Sequence, residues 1–191
     1  IRRPPRSTPK PSSAASDVYK RQVLTSIVGL GSNLESSQGA KLEVILEAVE
    51  ALDEISLSPC VVSSFYESEP VDCPPGSPEF INMVAAFFLP ASSGAREFFS
   101  FTQELECRLG RSRSGLVNEP RFIDIDLLFF GNRSISSDSL TIPHPRALER
   151  RFVLEPLSEI APALVLPGQK FSVSQLLREL PKNGWVSKIQ L

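Results

Sequence analysis

Continuous apolar runs alternate along the chain with stretches in which apolar residues recur every three or four positions. The runs predict four strands, at 23–30, 57–66, 80–89 and 121–131. The periodic stretches predict a helix from Ala40 and a second helix with an N-cap at Ser92 or Ser93 and a C-cap at Gly110. The predicted order of elements is therefore β-α-β-β-α-β.

This order is typical of an α+β fold of the ferredoxin-like type, with a mostly antiparallel four-stranded sheet and helices on one face. A C-terminal extension follows, with a short strand at 140–142, a helical turn at 147–150 and a helix at 172–180. A chain of 191 residues is long enough for one such domain and short for two. We expect residues 23–191 to form it.

Residues 1–22 differ in composition from the rest. They hold six basic residues, one acid and four prolines, so the remaining chain accounts for −7 of a total net charge of −2. Such a segment does not pack and is not a secretory signal, although a nucleic-acid arm or a transit peptide is conceivable. We favour a disordered leader derived from translated sequencing-adapter fragments.

Cysteine content and hydropathy narrow the class of protein. Three widely spaced cysteines without a C-x-x-C pair argue against a disulfide framework or a zinc site. No apolar stretch approaches the length of a membrane span. We expect a cytoplasmic monomer that binds neither membrane nor nucleic acid.

Two acids interrupt the last predicted strand. Asp124 and Asp126 alternate with Ile123, Ile125 and Leu127, so both carboxylates should lie on one face, roughly 7 Å apart. The solvent face of an edge strand is the ordinary explanation of such a pair. Because basic and turn-forming segments flank it here, we interpret the pair as a Mg²⁺ site, since two buried anions require a counter-charge.

Arginines are concentrated on both sides of these aspartates, at positions 111, 113, 121, 146, 150 and 151. Any one of them would ordinarily be a solvated charge. Together they favour a phosphate site, because guanidinium groups match phosphate oxygens bidentately. His144, the single histidine, lies among them and is interpreted as a hydrogen-bond donor to phosphate. Neither a Walker loop nor a complete G-x-G-x-x-G is present.

Two further pairs of residues are candidates for ligand contact. Phe80 and Asn82 share a face of their strand and could stack on and hydrogen-bond a flat heteroaromatic ligand. Ordinary packing is slightly favoured by the pattern alone. Gln103 and Glu106 lie one turn apart on the second helix and could face a ligand, although solvation is the more frequent role.

Several longer motifs occur in a specific order and spacing: Gly31-Ser32-Asn33-Leu34, the segment 63–70, Phe80-Ile81-Asn82, Gly110-Arg111, the segment 120–126, Pro143-His144-Pro145-Arg146 and Arg150-Arg151-Phe152. Together they resemble the 6-hydroxymethyl-7,8-dihydropterin pyrophosphokinase family of folate biosynthesis, from about residue 27 to about residue 167. The resemblance implies transfer of the terminal pyrophosphoryl group of ATP to the pterin's hydroxymethyl oxygen, with release of AMP.

The resemblance also implies roles for individual residues. Asp124 and Asp126 would hold two Mg²⁺ ions and act in catalysis with Arg111 and Arg121. The implied pterin contacts are Gly31, Ser68, Val71, Phe80, Asn82 and Phe152. The implied ATP contacts are Gln103, Glu106, Arg113, Leu127, Thr141, His144 and Arg150.

One segment departs from the family pattern. Residues 111–119 resemble its mobile catalytic loop, but Ser114 and Asn118 stand where some members have lysine and tryptophan. Two other functions remain open: a different Mg²⁺-dependent nucleotidyl- or phosphoryl-transfer enzyme, and a non-catalytic ferredoxin-like module. An RNA-binding module would carry exposed aromatics with basic neighbours on its sheet, where this chain has acids.

Overall fold

The computed structural model describes residues 23–35, 40–111 and 118–190. Its strands are β1 (Val23–Ser32), β2 (Val61–Val62), β3 (Tyr66–Ser68), β4 (Phe80–Pro90), β5 (Asp124–Phe130), β6 (Ile135–Ser136), β7 (Thr141–Ile142) and β8 (Val186–Lys188). Its helices are α1 (Lys41–Asp53), α2 (Ala95–Arg108), α3 (Arg151–Ile160) and α4 (Val173–Glu179), with a 3₁₀ turn at Ala147–Glu149. The leader, residues 1–22, lies outside the described residues.

Six of these strands form one antiparallel sheet. Its order is β5-β1-β4-β3-β8, and β2 also pairs with β4. The predicted sheet of four strands is therefore too small. The run predicted as one strand at 57–66 forms two short strands, β2 and β3, and β8 was not predicted because three residues carry too little pattern. Strands β6 and β7 form a separate pair.

Helices cover both faces of the sheet: the two helices of the predicted core share one face, as expected, and the helices of the C-terminal extension lie on the other. Helices α1 and α2 pack with apolar residues of one face, among them Leu30, Ile125 and Leu127. Helices α3 and α4 pack on the other face, against residues such as Val84 and Leu128. Helix α3 was not predicted from the sequence. It continues through an internal proline. Burial of its apolar stripe outweighs that local penalty.

Local features at the ends of α2 agree with the prediction at one end only. Gly110 follows the helix with a φ of +92°, as expected of a glycine that terminates a helix. The N-cap is Gly94, one residue after the predicted serines, and it makes no side-chain capping bond.

Cys60, Cys73 and Cys107 are free thiols. None of the described helices is both long and apolar enough to span a bilayer.

Glu159 on α3 connects three segments of the chain. Its carboxylate accepts hydrogen bonds from the Ser64 backbone N–H at 3.1 Å, the Ser64 hydroxyl at 2.9 Å, the Tyr66 hydroxyl at 3.0 Å and the Lys188 ammonium at 2.9 Å. Burial acts to raise the pKa of this carboxyl, but the hydrogen bonds outweigh it and hold the pKa at about 2. The charged form therefore holds α3 against β3 and β8.

We expect Glu159→Gln to lower the free energy of unfolding at neutral pH by about 1–2 kcal/mol, because the substitution removes a charged acceptor of several hydrogen bonds. A carboxyl whose folded pKa is depressed stabilises the fold above its unfolded pKa. The difference between parent and variant should thus be full above about pH 5 and decrease as the pH falls towards 2. Urea denaturation at several pH values measures it, with the exposed Glu179→Gln as control. An equal difference at pH 3 and pH 7 would contradict this role.

Candidate functional site

A cavity that is open to solvent lies on the sheet face that carries α3. Strands β1, β3, β4 and β5, the loop after β3 and the start of α3 all contribute to its wall. Ten of the predicted site residues line it: Gly31, Ser68, Val71, Phe80, Asn82, Arg121, Asp124, Asp126, Arg150 and Phe152. Residues separated by up to about 120 positions in the chain thus meet at one cavity.

The floor of the cavity is set by the register of the central strand. Gly31 of β1 pairs with Asn82 of β4 on one side and with Asp124 of β5 on the other. Gly29 pairs with Asp126 in the same way. A Cβ atom at Gly31 would lie 3.5 Å from Asn82 Oδ1, 3.7 Å from Phe80 Cδ1 and 4.0 Å from Asp124 Cβ. The missing side chain therefore leaves open the space where these three groups converge.

Gly29 also lines the cavity and was not among the predicted site residues. A Cβ atom there would lie 3.4 Å from the Leu128 side chain, within the same cavity. Glycine in the interior of a strand often marks a place where a ligand or another backbone approaches closely. That signal is present in the sequence, because Gly29 lies within the strand predicted at 23–30.

The two aspartates point into the cavity from the edge strand, and their apolar neighbours Ile125 and Leu127 point into the opposite core. This confirms the predicted alternation. Their side chains are 20% and 36% exposed. Burial, followed by repulsion from Asp124, raises the pKa of Asp126 to about 6. Both effects disfavour the charged carboxylate of Asp126, and a bound cation would offset them.

The donor set of the pair suits magnesium. Two carboxylates supply hard oxygen ligands and leave most coordination positions to water and phosphate, which is the usual arrangement for Mg²⁺ in nucleotide enzymes. No cluster of three or more acidic, histidine or cysteine side chains that could hold a metal occurs in the described ranges. The residues therefore fit an ion shared with a phosphorylated substrate better than an ion held by protein alone.

Arginines partner both aspartates. Arg121 Nε lies 3.0 Å from Asp124 Oδ2, and Arg150 Nη1 lies 3.8 Å from Asp126 Oδ2. The same guanidinium groups lie over aromatic rings, with Arg121 5.3 Å from the Phe80 centroid and Arg150 5.3 Å from that of Phe152. Each of these two guanidinium groups thus contacts both an aspartate and an aromatic ring at the cavity.

The Asn82 side chain is buried and held in a defined orientation. Its Nδ2 donates to the Ser68 hydroxyl at 2.9 Å and to the Tyr66 carbonyl at 3.3 Å. Because the amide nitrogen is engaged by β3, the orientation of the carbonyl oxygen is defined as well. A fixed amide beside an aromatic ring can select a ligand by its hydrogen-bonding edge.

Glu106 lies behind the aspartate strand and is 3% exposed. Its Oε1 accepts the Ile125 backbone N–H at 2.7 Å, on the peptide between the two aspartates, and it forms an ion pair with Arg111. Arg111 Nη1 in turn lies 2.6 Å from Asp124 Oδ1. Burial raises the pKa of Glu106 to about 7 despite the opposing charge of Arg111. Glu106 thus fixes the strand from which the aspartates project.

The remaining predicted residues lie elsewhere. Gln103, Glu106 and Arg111 line a separate recess with Cys107. Leu127 is buried in the core on the opposite face, so its side chain does not reach the cavity. Thr141 is exposed on β7. Arg113 falls within residues 112–117, outside the part of the chain that the structure describes.

His144 is held close to the aspartate strand through its backbone, whose N–H donates to Leu128 O at 2.9 Å. Its Nδ1 accepts the Arg146 N–H at 3.3 Å, which leaves Nε2 to carry the proton. Burial, and then the nearby Arg150 and Arg146, lower the pKa of His144. The role of hydrogen-bond donor to phosphate stays a prediction for this side chain.

Comparison with known proteins gives the same answer as the motifs. Residues 27–162 match the family model described as 7,8-dihydro-6-hydroxymethylpterin-pyrophosphokinase. The 2-amino-4-hydroxy-6-hydroxymethyldihydropteridine pyrophosphokinase of Haemophilus influenzae is 35% identical over 162 residues, which cover 84% of this chain and 93% of the relative. That of Pseudomonas aeruginosa is 36% identical over 157 residues, covering 82% and 92%.

Some relatives are much longer than this chain. The folic acid synthesis protein fol1 of Pneumocystis carinii is 35% identical over 80% of this chain, which spans only 20% of that protein. The Plasmodium falciparum HPPK-DHPS structure with pteroate has a TM-score of 0.59 and 15% identity, covering 83% of this chain and 42% of that one. At such identity the similarity shows the fold alone.

The family model covers most of the chain, and the relatives of similar length match nearly end to end. The resemblance inferred from the motifs is therefore confirmed. This chain belongs to the 7,8-dihydro-6-hydroxymethylpterin-pyrophosphokinase family.

Proposed function

We propose that the cavity binds 6-hydroxymethyl-7,8-dihydropterin beside the triphosphate of ATP, and that the pyrophosphoryl group passes directly between them. As a member of its family the chain is an ATP-dependent diphosphotransferase of folate synthesis. The hydroxymethyl oxygen loses its proton and forms a bond to the β-phosphorus, the bond from that phosphorus to the α–β bridging oxygen breaks, and AMP and the proton are released. One observation carries the residue assignment: Asn82 and Asp124 flank Gly31 in adjacent strands.

The pterin half of the cavity is formed by Phe80, Phe152, Asn82 and Ser68. A flat bicyclic ring packs between aromatic side chains at low entropic cost, and an oriented amide selects its donor and acceptor edge. Because Gly31 has no side chain, a ring seated against Asn82 can reach the aspartates with its substituent. The register of the sheet thus supports a pose in which the acceptor oxygen is directed towards the phosphate half.

The phosphate half contains Asp124, Asp126, Arg121 and Arg150, with His144 close by. We propose that the two aspartates hold two Mg²⁺ ions, which when bound neutralise the triphosphate and orient its oxygens. Arg121 and Arg150 lie where they can exchange an aspartate contact for phosphate oxygens. Transfer of a phosphoryl-type group requires mainly positioning and charge neutralisation, which these side chains supply.

We also propose that part of the larger sheet forms a ferredoxin-like core. The order of β5, β1, β4 and β3, with α1 and α2 as the two crossovers, supports a ferredoxin-like core within the larger sheet. We infer that residues 23–191 act as one domain, as a monomer in the cytoplasm. The chain spans a fifth to two fifths of several relatives, which combine this unit with further sequence.

Loss of either carboxylate charge should abolish most of the activity. We expect Asp124→Asn and Asp126→Asn each to lower kcat/KM roughly 10²- to 10³-fold, because the site loses an anionic ligand for the metal. AMP formation with ATP, Mg²⁺ and the reduced hydroxymethylpterin measures the rate. AMP also separates this reaction from an ordinary kinase, which forms ADP, and from a nucleotidyltransferase, which releases pyrophosphate.

The exposed Asp138→Asn, in the loop between β6 and β7, is the matched control and should retain the parent rate. Circular dichroism melting should show intact folds, since Asn is nearly isosteric with Asp. Parental turnover in either site variant would show that the pair does not hold the catalytic metal.

The two rings should govern pterin affinity and leave ATP affinity unchanged. We expect Phe152→Ala and Phe80→Leu to raise the pterin Kd about tenfold to a hundredfold, because each removes a stacking surface. Leucine is used at position 80 because Phe80 is largely buried and its volume must be kept. Calorimetric titration gives both affinities, and Phe171→Ala, at a ring that is 55% exposed, is the control. Unchanged pterin binding in both site variants would place the pterin elsewhere.

Glu106 should contribute to stability as well as to rate. We expect Glu106→Ala to lower the free energy of unfolding by about 1–3 kcal/mol, because the buried Ile125 N–H loses its acceptor. Glu106→Gln, which retains an acceptor oxygen, should cost less and should retain more activity. Glu104→Ala, at an exposed position of the same helix, is the control for denaturation measurements. Equal stability of the Ala variant and the parent would rule out this anchor.

A further inference from the structure

Two strained loop residues meet at the mouth of the cavity. Asn118 Nδ2 donates a hydrogen bond to the Asp72 carbonyl oxygen at 2.7 Å, across 46 positions of sequence. Their φ angles are +54° and +56°, and within 23–35, 40–111 and 118–190 no other non-glycine residue has a positive φ. Such conformations cost energy and persist where surrounding contacts or function require them. Here two of them face each other in one contact.

The contact belongs to the wall of the pterin half. Asn118, Val71 and Cys73 all line the cavity, and Asp72 lies between the last two. The Cys73 thiol donates to the Val71 carbonyl at 3.3 Å and closes a small turn around Asp72. The direction of the Asp72 peptide therefore determines where Val71 and Cys73 stand. The Asn118 amide holds that peptide from the opposite side.

We propose that Asn118 is a positioning residue for the pterin, which fixes the Val71–Cys73 wall through its hydrogen bond to Asp72. This inference rests on the proposed function, because it assigns the wall to the pterin half. Asn118 acts through the wall and contributes no group to the transferring phosphate. The pterin KM should therefore depend on it, and kcat and the ATP KM should not.

The side chain of Asp72 cannot substitute for this contact. Its carboxylate lies 3.9 Å from Arg146 Nη1, and the two side chains are 69% and 50% exposed. Ion pairs between exposed groups contribute little. The hydrogen bond from Asn118 to the Asp72 backbone, at 2.7 Å, is the shorter and more directional link. It is the one that a substitution should test.

Two variants of Asn118 separate the hydrogen bond from the backbone conformation. Asn118→Gly keeps the left-handed conformation and removes the donor, and Asn118→Asp keeps shape and conformation but offers an acceptor to another acceptor. For both we expect the pterin KM and Kd to rise about three- to tenfold, the fold-change equivalent to one hydrogen bond. The kcat, the ATP KM and the melting temperature should stay near the parent values. Asn132→Gly, at an exposed loop position beyond the far end of β5, controls for the loss of an amide.

The outcomes distinguish this inference from the proposed function. If the parent forms AMP from the pterin and both variants bind pterin within twofold of it, the inference is overturned and the function stands. A parallel rise of both KM values, or a fall of kcat with a lower melting temperature, also overturns it, because the contact would then be merely structural. If the parent neither binds the pterin nor forms AMP, both proposals fail together.

Discussion

The antiparallel pairing of β1 with both β4 and β5 is the constraint on which the site depends. Because one strand is shared, a single register decides that Asn82, Gly31 and Asp124 form a row across three strands. A slip of one residue would turn every side chain of the slipped strand to the other face. The apolar residues opposite, such as Leu30 and Ile125, are buried against α1 and α2. Core packing on one face therefore specifies the alignment of ligand-binding groups on the other.

Charge balance is the second organising feature of the site. Burial, and then repulsion from Asp124, raises the pKa of Asp126 and so disfavours its ionised form. Arg111, Arg121 and Arg150 offset it from three directions. A site of this kind can exchange its internal partners for a metal and a polyphosphate with little net change in charge. It is thus prepared for a highly charged substrate without leaving buried ions unpaired.

Much of this site was predictable from the chain. The alternation of aspartates with apolar residues correctly predicted a shared face, and the spacing of Phe80 and Asn82 correctly predicted that these two side chains lie on one face. These predictions succeeded because strand periodicity is a local property. The motifs identified the family because each of them is a short local segment that can be read directly from the chain.

Other features depended on contacts between distant segments. The pattern of the second helix favoured a solvated Glu106, but the structure buries its carboxyl against the Ile125 peptide. Gly29 lies beside Asp126 only because β5 pairs with β1, and the hydrogen bond from Asn118 to Asp72 joins segments 46 positions apart. Helix α3 was missed because local propensity opposes an internal proline, whereas burial against the sheet favours the helix. The sequence by itself determined which groups share a strand face and which chemistry they support. Tertiary structure alone decided how those groups are held, because burial and hydrogen bonding across the fold depend on partners that no local pattern contains.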